Sequence, residues 1–150
     1  MSSGTERGYH VTLSEAFPTF RIPIASFDRK AIMTPMTAGL RMTGTVEFGG
    51  LELPPDAHRF AMLERNLRAL VPSLPREAMT TWMGYRPSLP DHLPVLGRAP
   101  GGRELYFAFG HQHVGMCSAA PTGRLVAELM AGKSPSIDLS PFSLARFATG

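Results

Sequence analysis

Gly39-Leu40-Arg41-Met42-Thr43-Gly44-Thr45-Val46-Glu47-Phe48 is the stretch from which the fold of this chain can be read. Leu40, Met42, Val46 and Phe48 fall on one side of an extended backbone, and Arg41, Thr43, Thr45 and Glu47 on the other. That alternation marks a strand with one buried and one wet face. Toward the amino end, Ala31 to Met36 and Arg21 to Phe27 read as two short strands, with Asp28-Arg29-Lys30 as the polar turn between them. Further out, Tyr9, Val11 and Leu13 alternate with His10 and Thr12. Residues 7–48 are therefore expected to form an antiparallel meander with one solvated face.

Toward the carboxyl end, Pro54-Pro55-Asp56 breaks the strand pattern and places an acidic residue where a helix can begin. Phe60, Leu63, Leu67 and Leu70 recur at helical spacing, Glu64 and Arg68 form a favourable four-residue ion pair, and Pro72 and Pro75 end the element. Trp82 to Gly97 is extended and punctuated by prolines. Leu105 to Phe109 reads as a compact buried strand, Gly110 to Gly115 as a turn, and Met116 to Ala131 as a second helix closed by Gly132. Pro121 belongs in the early turns of that helix or at a kink in it. The elements add up to an α+β fold with an antiparallel or mixed sheet.

The chain has 150 residues, 43% hydrophobic and 18% charged, which suffices for a packed core and argues against wholesale disorder. Its 15 glycines and 14 prolines call for many turns. Residues 1–4 read as a tag or an arbitrary start, and nothing there resembles a secretory leader. The single cysteine, Cys117, cannot form an internal disulfide and reads as a packing residue; a reducing, cytoplasmic setting follows. No apolar run is long enough to span a bilayer. The net charge of +3 is spread over scattered arginines without a basic stripe, so nucleic acid is not an expected partner.

Chemistry is suggested in three places. Arg86 stands on an extended segment between Gly84, which lets another group approach, and the stiffening Pro87, a setting suited to gripping a carboxylate through two parallel hydrogen bonds. The alternative is a structural arginine paired with Asp91 or with backbone carbonyls. The turn Gly110-His111-Gln112-His113-Val114-Gly115, opening into a helix at Met116, would leave free backbone N–H groups at a positive helix end, an anion site. The competing reading is a plain strand-to-helix turn. His111 and His113 could ligate a metal, but no third and fourth ligand accompanies them, and no metal is expected.

Taken in series, Arg7-Gly8-Tyr9-His10, Gly39-Leu40-Arg41 with Gly44 and Glu47, the Trp82 to Gly97 segment, Gly110-His111 through Gly115, Gly123, Gly132 and Arg146 resemble the carboxyl-terminal part of flavin-dependent amino acid oxidoreductases. The family is the D-amino acid oxidase superfamily, and the likeness is strongest to bacterial D-amino acid dehydrogenases, with glycine and sarcosine oxidases as related alternatives. The resemblance implies FAD as cofactor and a parent enzyme of α/β type. In it, residues 5–90 would belong to the substrate domain and residues 91–150 would return to a Rossmann-like FAD-binding domain. It further implies oxidation of a D-amino acid or similar small amine by hydride transfer to the flavin, giving an imine that hydrolyses to a 2-oxo acid. Arg86 would hold the substrate carboxylate, Tyr9 or Tyr85 would shape the pocket, and Gly84 with Gly110, His111, Gln112, His113, Val114, Gly115 and Met116 would border the flavin.

No Gly-x-Gly-x-x-Gly fingerprint occurs in the 150 residues, so the pyrophosphate half of a dinucleotide site is not encoded here. The chain is expected to be a fragment, a truncated product or one part of a split enzyme, inactive alone, whose partner is a separate FAD-domain half or another copy of itself. A complete enzyme could sit peripherally at the inner membrane beside an electron acceptor, although no anchor is visible. A non-catalytic accessory or binding module is the alternative function.

Overall fold

The computed structural model describes residues 4–14, 16, 20–75, 79–101 and 104–148. Its strands are β1 (Gly4–Leu13), β2 (Ile24–Ser26), β3 (Ala31–Met36), β4 (Gly39–Phe48), β5 (Thr80–Ser88), β6 (Val95–Arg98) and β7 (Tyr106–Phe109). Its helices are α1 (Ala57–Leu70) and α2 (Gly115–Met130), followed by two short 3-10 turns at Ser140–Phe142 and Leu144–Phe147. The backbone separates into two compact units, Thr5–Tyr85 first, and second Arg86–Gly150 together with Met1–Gly4. The division falls inside β5, ahead of the boundary at residue 90 drawn from the sequence.

In the first unit five strands lie in the order β2-β3-β4-β1-β5. The expected meander holds only for β2-β3-β4. β1 pairs antiparallel with β4, not with β2. The two ten-residue strands offer each other the longest ladder, and the three-residue β2 is left at the edge.

The register of β1 against β4 is not uniform. Leu13, Val11 and His10 pair with Leu40, Met42 and Thr43, whereas Tyr9, Gly8 and Arg7 pair with Thr45, Val46 and Glu47. Gly44 is the unpaired extra residue of a β-bulge. Its φ is +152°, and a side chain there would run into the Lys30 carbonyl oxygen and the Ala31 Cα. Because side chains alternate with period two, one inserted residue exchanges the faces beyond it. Leu40 and Met42 are fully buried as expected, but Val46 and Phe48 are 39% and 74% exposed. Thr45 turns inward instead, and Glu47 comes round to the buried side of β1.

There it meets Arg7, which has no exposed surface. Arg7 Nε lies 3.4 Å from Glu47 Oε2, and Arg7 Nη2 donates to the Pro54 carbonyl at 2.5 Å. The Tyr9 hydroxyl donates to Glu47 Oε2 at 2.5 Å and accepts from the Asp56 N–H at 3.3 Å. Burial, then the bond to Glu47, raises the Tyr9 pKa. Arg59 Nη1 donates to Thr45 Oγ1 at 2.6 Å, and its guanidinium stands 5.7 Å from the centre of the Tyr9 ring. The cluster joins β1 and β4 to the start of α1.

α1 forms as its sequence requires. The Asp56 side chain accepts from the His58 N–H at 2.9 Å, and Arg68 Nε bonds Glu64 Oε1 at 2.9 Å. Leu63 and Leu67 are fully buried and pack in one cluster with Tyr9, Val11, Leu13, Leu40 and Met42, with Phe60 and Leu70 at its margin.

In the second unit β6 and β7 form a hairpin, Val95 opposite Phe109 and Arg98 opposite Tyr106. Val95, Leu96 and Leu125 are buried there. The compact buried strand expected over Leu105 to Phe109 is only half-buried: Leu105, which precedes β7, and Ala108 within it face solvent. Pro121 lies inside α2, and Cys117 is exposed, which corrects its reading as a packing residue. Asp91 is gripped at both oxygens by Arg146, Nε to Oδ2 at 2.6 Å and Nη2 to Oδ1 at 3.3 Å.

Gly44→Ala is expected to destabilise the fold by about 2–4 kcal/mol, since the added methyl clashes with backbone and the bulge cannot be kept without strain. Urea denaturation checks this, with an unchanged midpoint as the contrary result. The Arg146 hydrogen bonds foremost hold the Asp91 carboxyl below its usual pKa. A group depressed on folding contributes stability above its unfolded pKa and loses it as pH falls through the folded one. Thermal melts taken from pH 5 downward should therefore show an acid-dependent loss of Tm that Asp91→Asn diminishes.

Candidate functional site

Two elements of the second unit carry the site: the carboxyl end of β5 and the turn into α2. Arg86 and Ser88 stand two residues apart on β5 and so share one face. Arg86 is half-buried, and its Nη1 is a buried atom with no hydrogen-bond partner among the described residues. The structural alternative, a pair with Asp91 or with backbone carbonyls, is not realised among the described residues: Asp91 is bonded to Arg146, and Arg86 makes no hydrogen bond to it or to a carbonyl. Ser88 is 4% exposed, and its Oγ likewise has no partner. The sequence reading passed over Ser88; its place two residues beyond Arg86 was the available signal.

The turn begins at Gly110, where φ is +81° and a side chain would strike Leu89. Gln112, not a glycine, also adopts a left-handed conformation, with φ +53°. Such backbone strain concentrates at functional turns. Gln112 Nε2 donates to the Leu89 carbonyl at 3.3 Å, and its buried Oε1 has no partner. His111 Nε2 lies 2.9 Å from the Thr122 hydroxyl, tying the turn back to the buried side of α2. Val114 N donates to the His111 carbonyl at 3.0 Å. Val114 is the residue before α2 and supplies no side-chain cap, and no acidic residue occupies the first turn. Helix geometry leaves the N–H groups of Gly115, Met116 and Cys117 outside the intrahelical ladder. Met116 is 93% exposed, Val114 56%, and His113 is exposed as well. The turn therefore presents uncapped donors at a positive helix end, which fits a ligand edge carrying partial negative charge.

The remaining expected residues lie in the first unit. Tyr9 is 1% exposed with its hydroxyl bonded to Glu47, so its ring is part of the core and does not line a pocket within that unit. Gly84 does leave room for a neighbour, but the neighbour is its own strand's Trp82, whose indole occupies the position of the missing side chain. Trp82 stacks on His10 at 4.8 Å and 17°. Burial, followed by the charge of Arg41, lowers the His10 pKa. Tyr85 is half-exposed and donates to the Leu51 carbonyl at 3.3 Å. Among the described residues no group of three His, Cys, Asp or Glu side chains could hold a metal ion, and no helix is long and apolar enough to cross a membrane.

Comparison with known proteins gives this geometry its setting. The chain is 46% identical over 147 residues to a D-amino-acid oxidase of Bradyrhizobium diazoefficiens, an alignment covering 95% of this chain and 35% of that protein. It is 32% identical over 135 residues to D-amino acid dehydrogenase 2 of Mesorhizobium japonicum, covering 88% and 32%. The crystal structure of glycine oxidase from Geobacillus kaustophilus superposes with a TM-score of 0.82 at 29% identity, over 97% of this chain and 40% of that one. The chain thus spans about a third of the length of the curated relatives it matches. Residues 4–129 match the family described as FAD dependent oxidoreductase, whose cofactor is FAD, and the chain belongs to that family.

Proposed function

We propose that this chain is the substrate-binding and flavin-edge part of an FAD-dependent enzyme that oxidises small amino acids, D-amino acids foremost, to imines that hydrolyse to 2-oxo acids. The observation that carries the reading is the unspent guanidinium of Arg86: Nη1 is buried without a partner, and the nearby carboxylate of Asp91 is committed to Arg146. An arginine in that state is suited to a ligand carboxylate, which its planar fork meets with charge-assisted bonds. Relatives named for D-amino acid oxidation and dehydrogenation support the substrate class. The 150 residues hold no Gly-x-Gly-x-x-Gly fingerprint, which supports reading the chain as one part of a larger flavin site.

When bound, the flavin supplies the acceptor for the hydride leaving the substrate α-carbon. The chain's own share is orientation and electrostatics. Arg86 fixes the carboxylate and with it the direction of the α-carbon hydrogen. The uncapped N–H groups of Gly115, Met116 and Cys117 would stabilise negative charge on a cofactor edge held at the start of α2. Gly110 and Gln112 hold the turn in the shape that exposes those donors, and the His111–Thr122 bond anchors it.

In the FAD-loaded enzyme, Arg86→Ala should lower kcat/KM for D-alanine by about 10²-fold or more, near 2.7 kcal/mol of lost transition-state binding. Near-normal turnover of carboxylated substrates by that variant would remove Arg86 from the role. Val114→Asp separates helix capping from flavin binding. The new carboxylate should cap α2 and raise the thermal stability of the apo chain, by about 1 kcal/mol, while weakening FAD affinity as read by flavin fluorescence. Unchanged FAD affinity would detach the α2 start from the cofactor.

A further inference from the structure

Three buried side-chain atoms of the second unit have no hydrogen-bond partner among the described residues: Arg86 Nη1, Ser88 Oγ and Gln112 Oε1. They collect at one place in the chain's course. Ser88 follows Arg86 by one strand period on β5, so both side chains leave the same face. The Gln112 amide is pinned to the carbonyl of Leu89, the residue after Ser88, by its Nε2 at 3.3 Å. That bond fixes which end of the amide is spent and leaves the oxygen as the free end. Ser88 is 4% exposed, and its hydroxyl is turned away from the surface. Asp91 is bonded to Arg146 and to the Leu93 N–H, and to none of the three.

A buried polar atom without a partner is a standing cost, and a ligand that pairs with it removes that cost. Their chemistry is complementary to one kind of ligand. Arg86 and Ser88 are donors, and Gln112 Oε1 is an acceptor. An α-amino acid presents an acceptor-only carboxylate beside an amine that donates. Phosphate or sulfate would satisfy the donors and leave the amide oxygen facing negative charge. A simple amine would satisfy only the amide.

We infer that Ser88 and Gln112 complete a head-group pocket around Arg86, in which Ser88 Oγ shares the substrate carboxylate with Arg86 and Gln112 Oε1 accepts a hydrogen bond from the substrate amine. The inference rests on the carboxylate-binding reading of Arg86. It makes Ser88 a binding residue and Gln112 the one that distinguishes an amino acid from a bare carboxylic acid.

The test uses the FAD-loaded enzyme with an artificial dye as acceptor, D-alanine as substrate and propionate as a competitor that carries the carboxylate but no amine. Ser88→Ala should raise both the KM for D-alanine and the inhibition constant of propionate about tenfold, the worth of one hydrogen bond to a charged group, with Ser88→Thr restoring both. Gln112→Met should raise the KM for D-alanine by a similar factor and leave the propionate constant unchanged. Both constants unchanged in Ser88→Ala while Arg86→Ala raises them would show that Arg86 holds the carboxylate alone; the inference would fall and the reading of Arg86 would stand. Both unchanged in Arg86→Ala would overturn that reading and the inference with it. Equal weakening of D-alanine and propionate by Gln112→Met, accompanied by weaker FAD binding, would make Gln112 a shaper of the turn and overturn its amine role.

Discussion

A guanidinium with no exposed surface has to be met by an anion, and in this chain Arg7 is met by Glu47. An unpaired buried charge costs several kcal/mol, so this requirement constrains everything around it. Glu47 reaches Arg7 only because β4 carries one extra residue, and that residue has to be a glycine, since Gly44 lies against the backbone of Lys30 and Ala31. The value of the pair is therefore in register more than in net stability. A slip of β4 by one residue would return Glu47 to the opposite face and leave Arg7 buried alone. Tyr9, Arg59 and the amino end of α1 are then tied to the same carboxylate and its neighbours.

The second unit solves a related problem differently. Asp91 is held at both oxygens by Arg146, which makes Arg146 the structural partner of that carboxylate. Arg146 closes the end of the chain onto the segment after β5 and bonds the Leu93 carbonyl as well. Arg86 Nη1 is left without a partner, as are Ser88 Oγ and Gln112 Oε1, while Gln112 Nε2 bonds the Leu89 carbonyl.

Local chemistry was readable wherever a few consecutive residues decide the outcome. The proline pair and Asp56 mark the start of α1, the Leu63 and Leu67 spacing marks its buried side, and Asp28-Arg29-Lys30 marks the turn into β3. The uncapped start of α2 could also be anticipated, because glycines bracket the turn and no capping side chain precedes the helix. Elements whose surroundings come from far along the chain were misjudged. Cys117 and β7 face solvent more than their composition suggests, because apolar character alone does not say which face finds a partner.

The sequence by itself determined the element types of this protein, the family to which its motif series belongs, and the residue kinds suited to holding a carboxylate. Those follow from periodicity, caps and turn residues, which act over a few positions. Only the tertiary structure decided that β1 lies beside β4, that Gly44 exchanges the faces of β4, and that Arg146 rather than Arg86 takes Asp91. Those outcomes depend on which distant groups can satisfy one another's charge and hydrogen bonds at once. Arg7 and Glu47 are separated by an entire hairpin, and Asp91 and Arg146 by a hairpin and a helix. Alternation along a single strand carries no record of an inserted residue until a partner strand fixes the register.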